Sequence, residues 1–94
     1  MPTEVLHLPN QNRYVFEKDG KQVGFIDYTI HGDSIALTHS EVDPHLRHEG
    51  LGDEMVQAVL DTIRTETHHS VIAECPFVAD WMSRHPEYQE LEAR

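Results

Sequence analysis

Between residues 12 and 42 apolar side chains recur at alternate positions, the period of half-buried strands. Asn12–Lys18 sets Tyr14 and Phe16 on one face and Val15 on the other. Asp19-Gly20 follows, a pair that tolerates the positive φ of a type I′ hairpin turn. Gln22–Ile30 is the return strand, and its alternation slips between Phe25 and Ile26, which predicts a β-bulge there. His31-Gly32-Asp33 makes a second turn. Ser34–Val42 then reads as a third strand, with Ile35, Leu37 and His39 on one face and Ala36, Thr38 and Ser40 on the other. These strands make an antiparallel meander. Residues 1–11 read as a loose or edge segment, because Pro2 and Pro9 argue against a central strand.

The period then changes to that of a helix. Leu51, Met55, Val56, Val59, Leu60 and Ile63 fall on one face of a helix that starts near Gly52 and ends near His68. Val71–Cys75 is long enough only for a strand. A long helix between it and the third strand makes a crossover, so these two strands are expected to be parallel neighbours. Pro76 suits the first position of a second helix, Phe77–His85, which His85-Pro86 ends. Tyr88 and Leu91 suit a last turn packed back on the body, and Phe77, Trp81 and Tyr88 read as core. The expected fold class is α+β, in one domain spanning residues 1–94.

Charge narrows the partners. The 94 residues carry 7 Lys+Arg against 17 Asp+Glu, a formal net charge of −10. Nucleic acid and an anionic membrane surface both need a basic footprint, so neither is expected. A cationic partner is favoured, at least in the encounter. A lone cysteine, Cys75, cannot form an intrachain disulfide and fits a reducing, cytoplasmic setting. Eight histidines raise the question of a metal. His45-x-x-His48 and His68-His69 are close pairs, but there is no Cys-x-x-Cys or His-Glu-x-x-His, and no metal site is assigned.

The stretch RHEGLG, residues 47–52, lies between the third strand and the long helix. Gly50 and Gly52 let the backbone approach a ligand, and a helix start supplies unpaired N–H groups and partial positive charge. Such a place suits a diphosphate. A plain turn that starts a helix is the other reading of the same residues.

The spacing Arg47-x-x-Gly50-x-Gly52 is similar to the pyrophosphate loop of the GNAT superfamily of N-acetyltransferases. The segments THSEVDPHLRHEGLG and CPFVADWMSRHPEYQEL extend the likeness, because minimal GNAT-like acetyltransferases of this size carry comparable segments. The resemblance covers residues 12–91. It implies a truncated acetyltransferase core with acetyl-CoA between the third strand and the strand before Cys75. Carried over, Arg47, Gly50 and Gly52 belong to the pyrophosphate loop, with the backbone of His48, Glu49 and Leu51. Val42 lies beside the pantetheine, Cys75 near the thioester, and His39 points into the same cleft. The family usually has Gly at position 48 and Gln or Lys at 49, and here Glu49, Asp53 and Glu54 crowd an anion site with carboxylates. A like-charge pair at ~6 Å costs about 2–3 kcal/mol at surface-like dielectric, one to two decades of affinity. The tyrosine with which many larger relatives protonate the leaving thiolate has no counterpart in Phe77–His85.

Amine acetylation needs a neutral nucleophile. A lysine-type amine must lose a proton held about 3 pK units above neutrality, ~4 kcal/mol of work. His39 is the first candidate base, and Glu41, two residues on, shares its face and can orient it. Either residue can equally be an ordinary strand or surface side chain. Cys75 has three readings: a small buried hydrophobe, a wall of the thioester pocket, or an acyl acceptor activated at a helix start. The function that follows is transfer of acetyl from acetyl-CoA to a primary amine on a cationic acceptor, such as a basic protein tail, a protein N-terminus or a polyamine. A CoA-binding module without turnover and a small protein-interaction adaptor are the alternatives.

Overall fold

The structure is a computed structural model that describes residues 3–94, the side chains of residues 47–49 excepted. Pro2 therefore lies outside the described residues. Five strands form one mixed sheet in sequential order: β1 (Thr3–Leu8), β2 (Arg13–Lys18), β3 (Lys21–His31), β4 (Ser34–Val42) and β5 (Ser70–Ala73). The first four run antiparallel, and β5 joins β4 in parallel. The N-terminal segment is thus an edge strand. Asp19 (φ 54°) and Gly20 (φ 78°) make the tight turn that the sequence predicts.

Between β4 and β5 lies the helix α1 (Leu51–Glu66), and α2 (Pro76–Ser83) follows β5 with Pro76 in its first turn. A 3-10 stretch, Pro86–Ala93, closes the chain and buries Tyr88 and Leu91. The buried residues of α1 are the six of the predicted stripe. Removing each such side chain from water contributes about 1.5–3 kcal/mol, so this face fixes the helix on the sheet. The crossover gives the parallel β4–β5 pair, as expected.

α1, α2 and the C-terminal stretch sit on one side of the sheet, where they share a single core with its Tyr14, Phe16, Ile26, Tyr28 and Leu37. Val15 and Ala36 are only 4% and 0% exposed yet lie outside that core. They belong to the opposite, outward face.

Two bulges set the faces, and neither lies between Phe25 and Ile26. Phe16 pairs with Gly24 while Glu17 pairs with Gln22, leaving Val23 as the extra residue in β3. Asp27 pairs with His39 while Tyr28 pairs with Leu37, so β4 bulges at Thr38. Thr38 instead donates its hydroxyl to Asp27 O at 3.3 Å. The extra residue reverses the alternation of β4. The expected sharing of a face by Ile35, Leu37 and His39 is corrected by this reversal: beyond Thr38 it is Ser40 and Val42 that face the helices.

Candidate functional site

β4 and β5 part company at the bulge. Their pairing runs from Ser34↔Ser70 to Leu37↔Ala73. The last rung is the Leu37 carbonyl, which accepts from the amides of Glu74 (3.0 Å) and Cys75 (2.8 Å). From Thr38 to Val42, β4 still pairs with β3 on one edge, but the other edge has no strand partner. A cleft of about 450 Å³ lies against this segment. Ser40, Glu41 and Val42 form one wall, Gly50, Gly52 and Asp53 the end of α1, and Met55 and Phe77 complete the lining.

The RHEGLG stretch is more ordered than a glycine loop. Pro44–Glu49 is a 3-10 turn, whose entry is held by the Asp43 carboxylate accepting from His45 N at 2.9 Å. Gly50 then takes a left-handed conformation (φ 72°) and starts α1, one residue earlier than Gly52. Gly50 O accepts from Glu54 N at 3.3 Å. The amides of Leu51, Gly52 and Asp53 precede the first bond of the helical ladder and have no acceptor inside the helix. A Cβ at Gly50 would meet nothing within 4 Å.

Gly52 is not part of a loop at all; it lies within the first turn of α1. A Cβ there would come 2.8 Å from Phe77 Cζ, so the absent side chain is what lets the Phe77 ring rest on the start of the helix. Phe77 is 41% exposed and lines the cleft, whereas Trp81 and Tyr88 are buried. The expectation that Phe77 joins the core is thus corrected. Within α2 the buried stripe is Val78, Trp81 and Met82, at i, i+3 and i+4, and Phe77 falls off it.

The other expected site residues divide into groups. Val42 lines the cleft, while Leu51 sends its side chain into the core and brings only its backbone. The side chains of Arg47, His48 and Glu49 lie outside the described residues. Cys75 is buried at the start of α2, with Sγ 3.2 Å from Ser40 Oγ, and so reaches the cleft through Ser40. His39 does not point into this cleft. The bulge turns it to the outward face, where Nε2 stands 3.5 Å from Glu41 Oε2, the two side chains 58% and 60% exposed. Beside them Arg13 packs over the Phe25 ring at 3.8 Å and bonds Asp27 with two nitrogens, at 2.6 and 3.2 Å. Hydrogen bonding to Asp27 raises the Arg13 pKa.

Asp53, expected beside the anion site, does line the cleft, whereas Ser40, Met55 and Phe77 were not read as cleft residues from the sequence. The signal for Ser40 was a bulge that no local pattern locates. Phe77 was marked by its place one step off the apolar stripe of α2. Among the described residues no three or more His, Cys, Asp or Glu side chains gather in a metal-binding group.

The cleft therefore combines a helix start, a left-handed glycine beside open space, and a strand edge with unused peptide groups. The sequence model of the GCN5-related N-acetyl-transferases matches residues 13–91, from β2 through the C-terminal 3-10 stretch. No curated protein sequence matches this one. The match takes in every element that borders the cleft, and the chain belongs to the GCN5-related N-acetyl-transferase family, whose chemistry is acetyl transfer.

Proposed function

We propose that this chain moves an acetyl group from acetyl-CoA to a primary amine on a cationic acceptor. The observation that carries the reading is the parting of β4 from β5 beside the start of α1. The residues present fit the cofactor: the space where Gly50 lacks a Cβ adjoins three amides with no acceptor in the helix. The amides of Leu51, Gly52 and Asp53 would hold its diphosphate. The free edge of β4, Thr38–Val42, would hold its amide-containing arm by the same bonding that adds a strand to a sheet. Bound there, acetyl-CoA supplies an activated thioester.

The protein's own part is positioning and proton removal. Ser40 and Val42 shape the helix side of the strand, and the His39–Glu41 pair flanks the same segment on the outward side. An amine that reaches the gap between β4 and β5 from the outward face meets this pair first. His39 takes its proton, and Glu41 orients the imidazole. The net charge of −10 draws a cation toward the molecule. Cys75, held by Ser40 behind the cleft wall, would shape the pocket; the amine would take the acetyl group directly, and the CoA thiolate released as the carbon–sulfur bond breaks would take its proton from water.

One observation favours a second reading, a CoA-binding module without turnover. Among the described residues no His or Tyr lines the cleft, so none of the described side chains there is suited to protonate a leaving thiolate. Calorimetry with acetyl-CoA, followed by thiol release with a panel of amines, separates the two. Enzymatic transfer expects binding, thiol release with cationic amines, and loss of about 10²-fold in rate with a changed pH profile in His39→Asn. Binding without thiol release supports the module. No binding overturns both.

A further inference from the structure

The cleft changes character where the start of α1 gives way to the edge of β4. Val42 is the last residue of β4, Met55 stands one turn into α1, and the Phe77 ring rests on Gly52. All three line the cleft. We infer that Val42, Met55 and Phe77 form a socket for the dimethyl-bearing carbon in the arm of acetyl-CoA, and that Gly24 sets its depth. The inference deepens the acetyl-CoA reading and rests on it.

The order of groups along the donor matches the order of surfaces along the cleft. In the donor the diphosphate is followed by a carbon carrying a pair of methyl groups, then by the amides, then by the thioester. The diphosphate belongs on the open amides at the start of α1, and the arm's amides on the free edge of β4. What joins them passes the three apolar side chains. Phe77 is 41% exposed although it is large and apolar, and a ligand that covers it removes that area from water. A flat base needs only an open ring face to stack on. The aliphatic Val42 and Met55 beside the ring favour a branched alkyl group instead.

Gly24 acts from below. It has no positive φ, so its missing side chain serves a close approach rather than a turn. It pairs with Val42 at the end of the β3–β4 ladder. A Cβ on Gly24 would stand 2.8 Å from Met55 Sδ and 2.7 Å from Glu41 O. Met55 is fully buried, and its interior neighbours are close-packed, so its sulfur would yield toward the open cleft. Glu41 O is backbone, and its displacement moves the cleft wall itself. Gly24 is thus a positioning residue, and it keeps the floor of the socket low.

The test compares acetyl-CoA with an analogue whose paired methyls are replaced by hydrogen, by calorimetry on the full chain, Phe77→Ala and Gly24→Ala. The parent should bind acetyl-CoA about 10-fold more tightly than the analogue. In Phe77→Ala and in Gly24→Ala that ratio should fall to within about 2-fold, a coupling that a general loss of structure does not produce. Thermal melts check that both variants fold, and Phe77→Ala alone decides if Gly24→Ala does not. In the labelled complex, cross-relaxation should join the Phe77 ring protons to the ligand methyls. Cross-relaxation to the adenine protons instead overturns the inference. So does a ratio near one in the parent, or a ratio unchanged in Phe77→Ala, and in each of these cases acetyl-CoA still binds and the reading beneath it stands. Absence of acetyl-CoA binding to the parent overturns both.

Discussion

Replacing Gly52 by alanine separates what this residue does for the fold from what it does for the cleft. In a helix, alanine is favoured over glycine by about 0.5–1 kcal/mol. The new methyl would stand 2.8 Å from Phe77 Cζ, and ordinary contact begins at 3.4 Å, so the ring must retreat by at least 3.4 − 2.8 = 0.6 Å. The atom that gives way is the far end of a side chain that is 41% exposed, not backbone. Turning such a ring off its preferred rotamer costs about 0.5–1.5 kcal/mol, so the two effects nearly cancel. Gly52→Ala should therefore melt within about 6 °C of the parent, since 1 kcal/mol corresponds to ~4–8 °C in a domain of this size. Acetyl-CoA affinity should fall about tenfold or more, because the ring moves within the cleft lining and the methyl crowds the helix start. Calorimetry and thermal unfolding on the same preparation read both quantities. The double variant Gly52→Ala/Phe77→Ala removes the collision and should recover part of the lost affinity, a coupling expected only of residues in contact. Unchanged affinity in Gly52→Ala, or a stability loss beyond ~2 kcal/mol, would refute the reasoning.

Four further outcomes are expected. Asp53→Asn removes a carboxylate from the cleft end of α1; at ~8 Å and intermediate dielectric this is worth about 1 kcal/mol, so CoA should bind ~5-fold tighter at low salt, with the gain fading at high salt. Calorimetry at two ionic strengths reads it, and a gain independent of salt counts against the electrostatic cause. Cys75→Ala should keep turnover within a few-fold at a stability cost of about 1–2 kcal/mol, whereas acetyl found on Cys75 by mass spectrometry, with turnover abolished in the variant, would establish a covalent route. Arg94 donates to the carbonyls of Arg64 (2.9 Å), Thr67 (3.0 Å) and His69 (3.3 Å) at the end of α1, so Arg94→Ala should lower stability by about 1 kcal/mol, ~4–8 °C in a melt. Burial pushes the Tyr14 hydroxyl up to about 12. Its folded pKa exceeds the unfolded one, so its contribution is whole below pH ~10 and is lost as pH rises toward about 12, some 1–2 kcal/mol after solvent screening. Tyr14→Phe should flatten that part of the alkaline denaturation curve.

Periodicity carried most of the fold. The α1 stripe from Leu51 to Ile63, the Asp19-Gly20 turn and the bounds of β4 all express local preferences that a short window contains. The bulges do not. A single extra residue at Thr38 is specified by how β3 and β4 share bonds across the sheet, and it decides which side His39 faces. One slipped position turns every later side chain over. That is why Val42 was legible as a cleft residue while Ser40 was not, and why the base candidate sits on the outward side. Gly50 and Gly52 were legible as a pair but not in their separate duties. The left-handed turn at Gly50 follows from chain geometry, whereas the duty of Gly52 depends on Phe77, which approaches from α2.

The joining of β4 to β5 also bears on the order in which the molecule assembles. The hairpins of the meander close over short loops, but Ser34 meets Ser70 only after a separation of 36 residues. Contacts so distant along the chain form late and open early, since their closing entropy must first be met. Amides of β2 and β3 should consequently exchange with solvent more slowly than those of β5. The ligand cavity, which exists only where the late strand diverges, would then be the first part of the molecule to vanish as it loosens, and an acyl donor bound there would act as its fastener.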